Sequence, residues 1–211
     1  INITGNNITH ENVIRNSLEI DEGDPFNELL NAKSINNLRS LNIFAFVKTD
    51  ISEGTNINTK VLDIEVKEKP TGEISLGAGY GSEGGTIGFS ISENNFLGKN
   101  IKLTTDLRTT DDSIRGSFSI VNPNFNYSNK SLITSLQSTR IDKMTESGYE
   151  TKKTGFSFGT RYEQYENTFF SPKITTEIED LTTNADASDN LKKQTGSYFE
   201  TQLNYSLDFD K

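Results

Sequence analysis

The sequence predicts two folds in series: a small α+β domain with element order β-α-α-β-β, then an antiparallel transmembrane β-barrel of which about eight strands are present. Three observations predict this. Eight segments within 73–207 alternate apolar and polar residues one by one, the period of strands with a single apolar face. The longest unbroken apolar run, 43–47, is far short of the ~20 residues of a membrane helix, so a spanning role requires strands. Residues 1–69 follow a different grammar, with helix-spaced apolar positions between short strands.

In the first domain, 1–69, residues 1–4 form a short strand and Gly5-Asn6-Asn7 a turn. Thr9 is the expected N-cap of a helix carrying Val13, Ile14 and Leu18 on one face. Gly23 ends that unit. Asp24-Pro25 suits the start of a second helix, with Leu29, Ala32, Ile35 and Leu38 as its buried stripe. Strands at 44–51 and 61–67 complete a sheet on which the two helices pack. Pro70 cannot continue a ladder and Gly72 supplies freedom, so 70–72 is the linker. Its shortness is expected to restrict the angle between the domains.

The second domain, 73–211, is read strand by strand. Ile74, Leu76, Ala78 and Tyr80 alternate with Ser75, Gly77, Gly79 and Gly81; Ile87, Phe89 and Ile91 follow. Next come Ile101, Leu103, Thr105 and Leu107, then Ile114, Gly116, Phe118 and Ile120. The remaining apolar faces are Leu132, Thr134 and Leu136; Phe156, Phe158 and Tyr162; Ile174, Thr176 and Ile178; and Phe199, Leu203, Tyr205 and Leu207. Loops 82–85, 109–113, 142–153 and 181–194 fall on one side and 93–100, 122–131 and 163–171 on the other. The first set holds the longest and most polar loops, as the outer side of such a barrel does. The second carries Phe96, Leu97, Phe125, Tyr127, Tyr165, Phe169 and Phe170, a candidate aromatic girdle.

Composition agrees. Hydrophobic content is 32%, low for a dry core but suited to a barrel whose inner face is wet. Lys102, Asp106, Arg108, Arg115, Arg161, Glu177 and Glu179 fall on the polar face, costly in a dry interior and cheap against water. A secreted β-sandwich shares the alternation and stays open as an alternative. The absence of cysteine excludes a disulfide framework, a zinc finger and a thiol nucleophile. Twenty-one basic against thirty acidic residues, net −9, disfavour a nucleic-acid partner. Ile1 follows no initiator Met or signal peptide, and 206–211 lacks a closing aromatic strand end. The chain is therefore expected to be part of a longer one.

The motifs carry a resemblance. Gly5-Asn6-Asn7, Gly23-Asp24-Pro25-Phe26-Asn27, Leu38-Arg39-Ser40-Leu41-Asn42-Ile43-Phe44 and Lys67-Glu68-Lys69-Pro70-Thr71-Gly72 resemble the last POTRA domain of the BamA family of outer-membrane assembly factors. Gly77-Ala78-Gly79-Tyr80-Gly81-Ser82 and Asn95-Phe96-Leu97-Gly98-Lys99-Asn100 are similar to that family's first barrel strand and first periplasmic turn. The resemblance implies the first half of a sixteen-stranded barrel behind several POTRA domains, in a Gram-negative outer membrane with the POTRA domains in the periplasm. It implies insertion of unfolded barrel clients, with assembly-complex lipoproteins and outer-membrane lipids as partners. Within the wider superfamily, a secretion transporter or an autotransporter-assembly factor is the alternative; a passive barrel or a barrel enzyme is the alternative from another class. The Arg115-Gly116-Ser117-Phe118 stretch imitates the family's Arg-Gly loop motif only superficially, since it lies in a strand and has an extra serine.

Two candidate sites follow. The first barrel strand, Glu73, Ile74, Ser75, Leu76, Gly77, Ala78, Gly79, Tyr80 and Gly81, offers a free edge to an incoming strand, and its glycines weaken its hold on neighbours. Relief of crowding at a curved wall is the other role open to those glycines. The second is the POTRA strand edge at Phe46, Val47, Lys48, Thr49, Asp50 and Ile51, suited to β-augmentation or simply completing its sheet. No catalytic group is expected. His10, the single histidine, reads as a solvated helix-start residue. The aspartates at 111–112 and within 186–189 lack EF-hand spacing, so neither a metal nor a cofactor is expected.

Overall fold

A computed structural model describes residues 1–56, 59–81 and 84–210. The chain divides into two compact units, one of residues 1–72 with 94–101 and one of 73–93 with 102–211.

In the first unit the order is β1 (Asn2–Thr4), α1 (Glu11–Arg15), α2 (Glu28–Ser40), β2 (Phe44–Glu53) and β3 (Lys60–Glu68), as the sequence predicts. β3 is central: β1 pairs with it in parallel and β2 antiparallel. Its alternate residues Leu62, Ile64 and Val66 are buried against Ile14, Leu38, Ile43, Phe44 and Val47. Ile14, Leu38, Ile43 and Ile64 are fully enclosed, each contributing about 1.5–3 kcal/mol by burial.

Both helix starts differ from expectation. Helix α1 begins after His10, which makes no side-chain cap; Thr9 is instead buried and turned to other partners. Helix α2 starts at Glu28, capped by Asn27, whose side-chain oxygen accepts the N–H groups of Leu29 and Leu30 at 2.9 and 3.3 Å. Its buried residues are Asn31, Ser34 and Leu38, while Leu29 is 80% exposed and Ala32 faces solvent. The physical reason is a polar contact: the Ser34 hydroxyl donates to the Leu30 carbonyl and accepts the Glu19 N–H at 2.7 Å, which turns this face inward. Beyond α2, Asn42 adopts φ +57 and stops the helix in the left-handed conformation that asparagine tolerates.

The second unit is one eight-stranded antiparallel meander in chain order: β4 (Gly72–Gly81), β5 (Gly84–Phe96), β6 (Ile101–Thr110), β7 (Ser113–Asn122), β8 (Lys130–Lys143), β9 (Tyr149–Tyr165), β10 (Thr168–Thr183) and β11 (Gly196–Phe209). Strands of 10–17 residues meet or exceed the ~9–11 that cross a bilayer when tilted. Among the described residues the sheet is unclosed, with β4 and β11 at its two edges.

The loop after β8 is shorter than 142–153. Ladder pairs continue through Asp142↔Glu150 and Lys143↔Tyr149, leaving one helical turn, α3 (Met144–Ser147). Polar residues on both faces hide the extension in the sequence. The geometry shows it through the Arg140–Glu150 pair at 2.9 Å across the strands. Gly148, at φ +74, closes this turn where an added Cβ would lie 2.4 Å from the Ala187 nitrogen. The loop after β10 contains α4 (Asp189–Lys193), capped by Ser188. Part of the expected 82–85 loop lies outside the described residues.

Candidate functional site: open strand edges

Every residue of β4 is exposed. Ile74, Leu76 and Tyr80 present 73%, 79% and 89% of their surface on the apolar face, which in water would be a large unfavourable patch and against lipid is the expected face. Opposite them Gly77, Gly79 and Gly81 have no heavy atom within 4 Å of where a Cβ would stand. The strand has a single neighbour, β5, so its outer edge carries backbone donors and acceptors with no ladder partner among the described residues.

The second candidate edge belongs to β2, which lies at the margin of the three-stranded sheet. A register shift between Phe44 and Phe46 rotates the strand. Val47 then points into the core, 4% exposed, so it offers an edge only through its backbone. Phe46, Lys48 and Asp50 are exposed, and Thr49 is half-buried. Ile51 lines a cleft with Ile20, Phe26 and Leu62. A lysine–aspartate pair at positions 48 and 50 lies along this strand, the kind of charge that discourages indiscriminate edge pairing.

The polar face of the barrel sheet is cross-linked. Glu177 accepts Lys153 at 2.7 Å and Gln137 at 2.9 Å, in space that Gly155 leaves open. Arg161 pairs with Asp208 at 2.7 Å and lies over the Phe169 ring at 4.6 Å. Phe169 thus belongs to the polar face and not to the expected girdle, because adjacent strand residues point opposite ways. Tyr162 meets Phe170 edge to face and Phe170 meets Tyr205 at a tilt on the apolar face, with ring centroids 5.9 and 6.4 Å apart, and Lys130 lies over Tyr162. Tyr162 and Tyr205, read from the sequence only as strand residues, share this face with Phe170 on β9, β10 and β11.

Among the described residues no cluster of three or more metal-ligating side chains occurs. The aspartates at 111–112 have protein partners: Asp111 accepts the Gly85 N–H at 3.2 Å and Asp112 pairs with Lys143 at 2.7 Å.

Comparison with known proteins fits both units. Residues 1–69 match the POTRA family, described as surface antigen variable number repeat. The outer membrane protein assembly factor BamA of Neorickettsia risticii (strain Illinois) is 35% identical over 111 residues, 51% of this chain and 15% of that protein. BamA of Buchnera aphidicola (subsp. Acyrthosiphon pisum, strain APS) is 33% identical over 135 residues, 63% of this chain and 22% of its own length. The crystal structure of BamA from Haemophilus ducreyi lacking POTRA domains 1–3 superposes with a TM-score of 0.77 and 21% identity, over 99% of this chain and 41% of that one. The chain is BamA-like.

It pairs a POTRA domain with an antiparallel sheet of the BamA barrel type, left unclosed as half a barrel is. A chain of this kind lies in the outer membrane with its POTRA domain in the periplasm. It spans less than a quarter of the length of the two BamA relatives.

Proposed function

We propose that this BamA-like chain takes part in assembling β-barrel proteins in the outer membrane, without performing a chemical reaction. In this reading β4 templates client strands. An incoming strand adds to its outer edge by main-chain hydrogen bonds, and glycines 77, 79 and 81 leave few side-chain contacts to break when the edge opens. The observation that carries the reading is a fully exposed, glycine-rich strand at the margin of a barrel sheet in a chain similar to BamA assembly factors. The β2 edge, from Phe46 to Ile51, is a secondary client or lipoprotein contact by the same mechanism. Unfolded barrel clients, assembly-complex lipoproteins and outer-membrane lipids are the corresponding partners. Free energy comes from the client's own folding, aided by local destabilisation of the bilayer.

The test is site-specific crosslinking in the full-length protein, with a photoreactive residue at Ser75 or Ala78 and a stalled client. Adducts to the client's last strand are expected at one or both positions. Failure at every position of β4 would overturn templating and favour a passive barrel.

A further inference from the structure

Three segments distant in the chain converge within the first unit: the 5–10 loop, the end of β3 and the turn at 95–100. The Glu68 carboxylate accepts the backbone N–H groups of Asn7 at 2.9 Å, Ile8 at 3.0 Å and Thr9 at 2.6 Å. The Thr9 hydroxyl bonds to the same carboxylate. That hydroxyl oxygen in turn accepts the Asn95 amide at 2.9 Å. Thr9 and Asn95 are 3% and 7% exposed, so the bond is shielded from water.

The turn itself is strained and closely fitted. Leu97 and Gly98 both have positive φ, 57 and 66 degrees, the pairing required at the centre of a type I′ turn. Leucine resists that conformation. Its persistence requires outside restraint, and the restraints are present. The Asn95 side-chain oxygen accepts the Asn100 N–H at 2.8 Å. The Gly98 carbonyl accepts the His10 N–H at 2.8 Å, and the Asn94 N–H donates to the Thr71 carbonyl at 3.2 Å. A Cβ on Gly98 would stand 2.1 Å from the Ile8 carbonyl oxygen, so only glycine permits this approach.

We propose that Glu68, Thr9 and Asn95 are positioning residues: as a buried polar relay they hold the β5–β6 turn in its left-handed form, making 94–101 a folded part of the POTRA domain. Glu68 fixes the backbone of 7–9, Thr9 transmits that fix to Asn95, and Asn95 sets the turn. The relay concerns the conformation of this turn and stands apart from the assembly reading, so either can fail without the other.

Hydrogen exchange on the full-length protein in lipid bilayers tests it. Thr9→Val removes the hydroxyl at constant shape while leaving the three N–H donors to Glu68. Exchange at His10 and Asn100 should accelerate about tenfold or more, with Leu62 and Ile64 in β3 unchanged. Thr9→Ser, which retains the hydroxyl, should restore slow exchange. Should Thr9→Val fail to fold, Asn95→Ala must accelerate His10 in the same way. Unchanged exchange at His10 and Asn100, equal acceleration throughout β3, or a serine variant that behaves like valine each overturns the relay.

Discussion

Gly5 shows how much a single residue can decide. At φ +90 it lies where an added Cβ would meet the Val66 carbonyl oxygen at 1.9 Å, so both torsion and space exclude a side chain. Gly5→Ala should destabilise the POTRA unit by at least the ~1–3 kcal/mol of left-handed strain, read as a lower denaturant midpoint for that unit. Glu68 makes the second residue-level prediction. Burial pushes its carboxyl upward, but hydrogen bonds from the Thr9 hydroxyl and the N–H groups of Thr9, Ile8 and Asn7 outweigh burial and hold it below its ordinary value of 4.5. Glu19 is also lowered, by hydrogen bonds from Asn37 and Lys33. A depressed carboxylate stabilises the fold above its unfolded pKa and loses that contribution as pH falls through the folded one. Protection of β3 amides, corrected for intrinsic exchange, should therefore be level above pH ~4.5 and decline below it. Glu68→Gln should flatten that decline. A decline equally steep in the glutamine variant would show that Glu68 is not its source.

At the scale of elements, α2 rests on fewer apolar contacts than its sequence suggests. With Leu29 and Ala32 exposed, Leu38 is its one fully buried apolar residue, set among Ile14, Ile43 and Val66. Leu38→Ala should cost about 2–5 kcal/mol by lost transfer energy and residual cavity; Leu29→Ala should cost under about 0.5 kcal/mol, as exposed sites do. Chemical unfolding monitored in the POTRA unit compares the two. The strands make the complementary point. β8 and β9 stay paired past their apolar segments, where the Arg140–Glu150 pair and main-chain bonds replace the apolar pattern. A ladder needs only backbone partners and tolerates polar residues on both faces once it stands in water.

At the scale of the molecule, the sheet has two surfaces of opposite chemistry, and lipid is the solvent that reconciles them. Leu203, in the middle of β11, is 73% exposed on the apolar face, while Gln202 points the other way and donates to Glu200. Leu203→Arg should destabilise the membrane-embedded protein by about 2–4 kcal/mol, and Gln202→Arg should be close to neutral. Folding titrations in lipid vesicles give the comparison. Equal costs at both positions would remove the case that these strands cross a bilayer.

The local pattern of the sequence was enough to determine the element order β-α-α-β-β, the eight alternating strands and the division of each strand into an apolar and a polar face. All of these follow from periods of two and 3.6 residues, and periodicity is local. The tertiary structure decided what is non-local. Ser34 was buried on α2 because a bond from the Glu19 N–H, elsewhere in the chain, satisfies it. Phe169 was brought under Arg161, and Phe170 between Tyr162 and Tyr205, by strand pairing. Val47 was turned into the core by a register shift, which leaves only its backbone for the predicted edge. The sequence also contained Glu68 and Asn95 within quoted motifs and Thr9 as an expected helix cap. Their convergence stayed invisible there, because a hydrogen bond between residues 86 positions apart leaves no period in the chain and exists only once the fold brings its partners within 3 Å.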